Sequence, residues 1–425
     1  MPSIKCTSNA DLFRRARGAK SDRNPNFFDS KENIMKHTSH RNVSTIVVGG
    51  GVIGLSLAWE LSQRGRDVVV LEAKTVGKGA SWAGAGILPP TARHGTSDPY
   101  EQLRAMSHGL HPQWAKRLRE LTGIDTGYTR CGGIYLASTP AEVATLAANR
   151  WWWQEHGIEH QGWTLDELSQ HEPALMAGRQ GIPIPSGSAS DIAPADIRSV
   201  WFLPDEYQLR NPYHLRALES VCQQAGVEII EQTTVTQLEP TDGGGVQVVT
   251  EQANYHAEQV CICTGAWARR TMEQLGLASG IMPVRGQIVL YRCDRPLLTS
   301  VVNEGHRYLV ARRDGRLLAG TIEEEVGYVE ETTDEAQSQI CTWAERILPQ
   351  LRHQPIEKTW AGLRPGSFDG FPYMGSVPGH EQLFLAAGHF RSGIHLSCAT
   401  AVLMANLMEG LANPIDLHPF RVGRG

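Results

Sequence analysis

One stretch constrains this chain more than any other: STIVVGGGVIGLSLAWELSQRGRDVVVLEAK, residues 44–74. The apolar run 46–48 reads as a strand, 52–64 as a helix ending at Gly65, and 68–71 as a second strand. Gly49, Gly51 and Gly54 occupy the turn between strand and helix, and Glu72 stands 18 residues beyond the last of them. Such a turn suits a pyrophosphate. Gly49 permits the tight bend, Gly51 lets the backbone approach the ligand, and Gly54 lets the helix pack closely on the strand. The open amides of the first helical turn, at Val52 and Ile53, attract phosphate oxygens. Glu72 is then placed to accept hydrogen bonds from a ribose and to repel a 2′-phosphate. The chain is expected to be an α/β protein with a dinucleotide site.

The rest of the chain favours FAD over a nicotinamide dinucleotide. Gly243, Gly244 and Gly245 lie between two strand-like runs, so they read as a hairpin turn and leave a single fingerprint. Residues 78–87, KGASWAGAGI, gather Ala80, Ser81, Ala83, Gly84, Gly86 and Ile87 where a backbone must lie close to something long and flat. Far along the chain, CICTGAW sets Thr264 and Gly265 directly after a strand, a second close approach. FAD is extended and draws contacts from several segments.

With 425 residues the chain is long enough for two domains or a two-lobed enzyme. A formal net charge of −5 leaves no basic footprint, so nucleic acid is not an expected partner. Eight cysteines are spread without a CxxC pair, which suggests a reducing, cytoplasmic setting and no metal. Cys261 and Cys263 alternate in an apolar strand and are expected to face the core. No apolar run reaches membrane-spanning length. Residues 1–43 lack a secretory h-region and read as a disordered extension. Residues 227–238 read as a β pair, and the tryptophans Trp151, Trp152 and Trp153 as packing residues of a helix over 141–156.

The stretch TWAGLRPGSFDGFPYMG poses a separate question. Arg364 stands among Trp360, Ala361, Gly362 and Leu363, with a sharp turn expected at Pro365 and Gly366. A guanidinium taken out of water needs an anionic partner. Asp369 and the carboxylate of a substrate are the two candidates.

Several motifs together carry a family resemblance: VVGGGVIGLSLAWEL, VVVLEAK, GASWAGAGILPP, VCICTGAW, PVRGQ, WAGLRPGSFDGFPYMG and GHFRSGIHLSCATA. From Ser44 onward the chain resembles the glycine/D-amino acid oxidase superfamily of FAD-dependent oxidoreductases, most closely its glycine oxidase branch of thiamine biosynthesis. The resemblance implies a two-domain, D-amino acid oxidase-like fold. A Rossmann-type FAD-binding domain would use residues 44–94, 205–268 and 358–420. A substrate domain with a large antiparallel sheet would use 95–204 and 269–357. It implies oxidative deamination of glycine, sarcosine and small D-amino acids by hydride transfer from the α carbon to flavin N5, with molecular oxygen as acceptor. The products would be the imino acid or glyoxylate, ammonia and hydrogen peroxide. It further implies non-covalent FAD, a homotetramer, and supply of the glycine imine to thiazole-forming machinery. Arg364 would bind the substrate carboxylate, with Tyr308, His306 and Arg391 around it. Val235 would touch the adenine, and Gly388, His389, Arg391, Ser392, Gly393 and Ile394 would line the flavin. The helix beginning near Gly393 would aim its amides at the flavin N1 region, and Arg391 would add positive charge there. Arg285 would support structure or subunit contacts. Glu323 falls where some members carry an apolar pocket residue. The rival readings are a D-amino acid dehydrogenase passing electrons to quinone, a sarcosine oxidase-like enzyme, and a flavin-dependent RNA-modification component.

Overall fold

Alternation along the first strands decides how the chain layers. In a computed structural model of the protein, which describes residues 40–92, 95–179, 193–241 and 243–424, Val47, Val70, Cys261 and Phe384 face one side of a sheet. Ile46, Val48, Val69, Leu71 and Ile262 face the other. The parallel part of this sheet runs, in spatial order, Glu228–Ile230, Val68–Leu71, His40–Val48, Asn254–Ile262 and His380–Ala387. Helices Val52–Gln63, Pro99–Thr122, Asn211–Gln224 and Gly393–Met408 contribute to the first face. Strands buried on both sides and covered by helices are what a parallel sheet requires.

A second, eight-stranded sheet is mostly antiparallel. Its order is Ile356–Gly366, Met282–Arg292, Arg316–Gly320, Arg307–Ala311, Val301–Glu304, Gly133–Ala137, Ser199–Leu203 and Gln161–Gly162. Val289, Tyr291, Val302, Leu309, Leu317 and Ala319 pack one face against helix Asp334–Ile347. The opposite face carries Ile288, Val301, Tyr308, Val310 and Leu318, which meet Ala85 of the small-residue loop. That second contact sets the candidate site between the two sheets. The described residues belong to one compact unit.

Local signals fix the helix ends. Asp98 caps Pro99–Thr122 by accepting from the Glu101 amide at 2.9 Å, and Gly123 ends it in the left-handed region at φ 71°. Thr333 caps Asp334–Ile347 in the same way, with Asp334 and Glu335 in the first turn.

Four expectations change. His40 to Val43 belong to the first strand, paired with Asn254 to Ala257, so ordered backbone begins inside the expected 1–43 extension; residues 1–39 of that extension lie outside the described residues. The 227–238 segment is not a β pair: Glu228–Ile230 and Val235–Pro240 lie at opposite edges of the first sheet, because each has a better partner elsewhere. Pro365 and Gly366 make no turn; they continue strand Ile356–Gly366, opposite Pro283 and Met282. This strand is the outermost of its sheet, where a missing N–H costs no ladder bond. Trp153 is buried, while Trp151 is exposed and is not explained by packing. Cys261 and Cys263 are both buried in the core, as expected.

Candidate active site

At the end of strand His40–Val48 the backbone has little room. Gly49 takes φ 109°, and a Cβ on Gly54 would lie 2.0 Å from the Gly49 carbonyl oxygen. A Cβ on Gly51 would meet only Ser81 Oγ, at 3.3 Å, so this position opens on free space. Glu72 Oε2 accepts from the Gly50 amide at 2.7 Å and Oε1 from the Lys74 amide at 2.8 Å. The first turn of helix Val52–Gln63 holds no acidic residue, and no side chain of the Gly51 cap position closes it. Helix Gly393–Met408 begins with the same two omissions. Two long helices therefore present positive ends without acidic compensation, although the Val52 amide, expected to be open, is taken up by Ser81 Oγ.

Between these ends and the second sheet lies the loop around Ala80–Ala83, and it is tied down from all sides. Ser81 Oγ accepts from the Val52 amide at 3.0 Å, and Asn211 Nδ2 donates to the Ser81 carbonyl at 2.7 Å. Trp360 Nε1 donates to the Ala83 carbonyl at 3.0 Å, and its ring lies 5.2 Å from that of Trp82. Buried Arg312 donates to the carbonyls of Ala85 at 2.6 Å and Leu209 at 3.0 Å. The loop could not rest this closely with larger residues: a Cβ on Gly362 would stand 2.5 Å from that of Ala83.

On the second sheet the half-buried Arg364 donates from Nη2 to Thr321 Oγ1 at 2.7 Å and from Nη1 to the Ile322 carbonyl at 3.3 Å. No carboxylate of the described residues lies within salt-bridge distance of it. Burial draws its pKa below the usual guanidinium value, opposed by Tyr308 and Glu323. Tyr308 is buried, its ring over Gly320, where a Cβ would approach to 3.0 Å. Arg391 donates to Glu323 Oε1 at 2.7 Å and to the His306 carbonyl at 2.9 Å. His306 is exposed, and partial desolvation with Arg307 beside it lowers its pKa. Arg364, Tyr308, His306, Glu323 and Arg391 thus converge from chain positions 306 to 391 at one place.

Asp369, the rival partner of Arg364, is engaged elsewhere. Arg424 grips both its oxygens, at 2.8 and 3.1 Å. The guanidinium question resolves against an internal ion pair.

Residues 44–407 match the family model described as FAD dependent oxidoreductase. The chain belongs to that family. Glycine oxidase of Pseudomonas aeruginosa is 34% identical over 376 residues, 88% of this chain and 97% of that protein. A bifunctional protein ThiO/ThiG of Trichormus variabilis is 31% identical over 88% of this chain and 54% of its own length. The crystal structure of glycine oxidase from Geobacillus kaustophilus superimposes with a TM-score of 0.82 at 32% identity, covering 91% of this chain and 99% of that one.

FAD is the cofactor of this oxidoreductase family, and the glycine cradle fits it: the close approach at Gly51, the two positive helix ends and the Glu72 carboxylate suit a pyrophosphate and a ribose. The residues expected to hold it gather around the loop, with some exceptions in orientation. Thr264 Oγ1 is buried without a hydrogen-bond partner, and Gly265 follows at φ 56°. Ser392 Oγ accepts from Tyr100 at 2.9 Å, and Ile394 is buried at the start of its helix. The His389 ring turns into the core, bonded to Thr400 at 3.0 Å, and burial lowers its pKa to about 3. Val235 begins an edge strand opposite Thr250. The backbones that meet the end of the Glu72 strand are two and three residues earlier, Thr233 on the Glu72 carbonyl at 2.8 Å and Gln232 on that of Lys74 at 3.1 Å. Arg285 is structural: it forks onto Glu324 at 2.9 and 3.0 Å.

Some pocket residues escaped sequence reasoning. Thr321 supplies the neutral oxygen to Arg364. Asn303 pairs across strands with Tyr308, so both side chains share a face, and its Nδ2 donates to buried Glu206 at 3.1 Å. A period of two from Val301 would have found Asn303. Nothing local marks Glu206.

Proposed function

We propose that this chain catalyses FAD-dependent oxidative deamination of glycine, and of sarcosine and small D-amino acids, to the imino acid and hydrogen peroxide. The observation that carries the reading is Arg364, a half-buried guanidinium whose described partners are neutral oxygens. A planar cation with two parallel donors takes a carboxylate in one orientation. Held there, an amino acid has its α carbon fixed relative to the loop that binds the cofactor, which is catalysis by proximity. Tyr308, buried over Gly320 and beside Arg364, walls the same space. Arg391, His306 and Glu323 form the mouth. The chemistry supplied by bound FAD is acceptance of the two electrons lost at the α carbon and their delivery to oxygen. Water then hydrolyses the released imine to glyoxylate and ammonia.

In this reading residues 44–94, 205–268 and 358–420 hold a non-covalent FAD, and 95–204 with 269–357 hold the substrate. Relatives named glycine oxidase support the substrate class, and fusion in ThiO/ThiG supports delivery of the imine to thiazole-forming machinery. A homotetramer in the cytoplasm completes the proposal. No helix of the described residues is long and apolar enough to cross a membrane. Purified protein in air should yield one peroxide per glycine consumed, and its yellow colour should leave the pellet on acid precipitation. Absence of peroxide with glycine, sarcosine, D-alanine and D-proline would reject the activity.

A further inference from the structure

We infer that Glu323 sets the substrate class of this pocket, restricting it to amines that carry one carboxylate. The inference rests on the reading of the Arg364 pocket as an amino acid site. Two arginines converge there, and they are not equivalent. Arg391 spends one nitrogen on Glu323 at 2.7 Å and the other on the His306 carbonyl at 2.9 Å. Arg364 meets Thr321 Oγ1 and the Ile322 carbonyl, with no carboxylate of the described residues in salt-bridge range. The pair nevertheless acts on Arg364: Arg391 depresses its pKa and Glu323 raises it.

Two guanidiniums and one carboxylate leave one positive charge. That balance suits one anionic group. A substrate with a second carboxylate would have to displace Glu323 from Arg391 or lie beside it, and like charges at close range oppose both. Glu323 cannot withdraw with its backbone. On one side the Ile322 carbonyl accepts from Arg364; on the other, Glu324 is gripped by the buried Arg285 and by Gln287 at 2.9 Å, and its backbone bridges to Arg285. The exposed carboxylate, carried on a pinned backbone, thus occupies the second arginine and acts as a repulsive element against dicarboxylic amines.

The test uses the flavin-loaded full chain and the variants E323Q, E323A and E323D. Dissociation constants for acetate and malonate are read from the perturbed flavin absorption, without turnover. The kcat/KM for glycine and for D-aspartate are read from peroxide. In wild type, acetate binds more tightly than malonate and glycine outruns D-aspartate. E323Q and E323A shift both ratios toward the dicarboxylate by roughly tenfold or more, the size expected when a charge-assisted bond to Arg391 becomes available. E323D, which keeps the charge, keeps the wild-type preference. Unchanged ratios in both neutral variants overturn the inference, as does a wild type that binds malonate as tightly as acetate. If no amino acid yields peroxide, the proposed activity falls, while the acetate–malonate comparison still decides the role of Glu323. Either neutral variant suffices, so failure of one to fold leaves the other to judge.

Discussion

In the proposed function the cradle at Gly49–Gly54 and the pocket at Arg364 recognise by different means. In the cradle, main-chain amides and the absence of side chains do the work, and every part lies within a few residues of the next. In the pocket, charged and aromatic side chains converge from separate strands and loops, and each depends on the sheet to bring it there. A backbone site fails when atoms are added; a side-chain site fails when they are removed. Substitutions of opposite kinds should therefore separate the two.

The largest effect is expected from Gly54→Ala. Its Cβ would stand 2.0 Å from a backbone oxygen that has no room to move, so the helix and strand must part. Loss of several kcal/mol of stability, at the upper end for a single substitution, and loss of flavin are expected. Gly51→Ala sharpens the contrast, since its Cβ meets only the end of Ser81 at 3.3 Å. That variant should melt near the wild-type temperature yet retain less flavin on gel filtration. Equal melting temperatures for the two alanine variants would refute the division between fold and cofactor roles.

In the pocket, Arg364→Ala should lower kcat/KM for glycine by roughly 10²- to 10³-fold, the range for removing a desolvated carboxylate partner, with flavin content unchanged. Arg364→Lys should recover little, because an ammonium lacks the fork. Normal saturation by glycine in the alanine variant would show that the carboxylate is held elsewhere.

How far each site could be read from the chain follows the same division. Strand Val68–Leu71 was legible to the residue, since apolar period and end signals act locally. The cradle was legible because its parts are contiguous. Arg364 was recognised as in need of an anion, but the exclusion of Asp369 required Arg424, near the C-terminus, to be folded beside it. The turn expected at Pro365 failed because an edge strand tolerates a proline that a central one rejects. Glu206 left no trace, since its partners Tyr135 and Asn303 lie 71 and 97 residues away.

Acid should expose a third kind of dependence, seated in the histidines of helices Pro99–Thr122, Asn211–Gln224 and Gly393–Met408 and of the loop before the last. Burial lowers His111 to about 4, His214 and His389 to about 3, and His395 well below its ordinary 6.5. The unfolded chain takes up protons near 6.5 that the folded chain refuses. Stability is thus complete above that value and is lost as pH falls toward the folded values, by about 2 kcal/mol per ring at pH 5. A melting temperature that stays flat from pH 7 to 5 would mean that these rings ionise in place.

Glu206 gives the smallest effect and the opposite sign. It is fully buried on the same face as Tyr308, accepting from Tyr135 at 2.5 Å and Asn303 at 3.1 Å. Burial lifts its carboxyl to about 7 despite those bonds, against an ordinary value of 4.5. The folded state keeps a proton that the unfolded state releases, so the contribution is complete below pH 4.5 and disappears as pH rises through 7. Glu206→Gln keeps the shape and cannot ionise. It should therefore remove part of the fall in melting temperature between pH 6 and 8.5, amounting to roughly 1.4 kcal/mol over that interval. Because Asn303 stands beside Tyr308, the same variant should also flatten the pH dependence of KM for glycine while kcat changes little. If the variant loses stability with pH as steeply as wild type, the carboxyl is ionised throughout and Asn303 is held by a charge, not by a proton-sharing network.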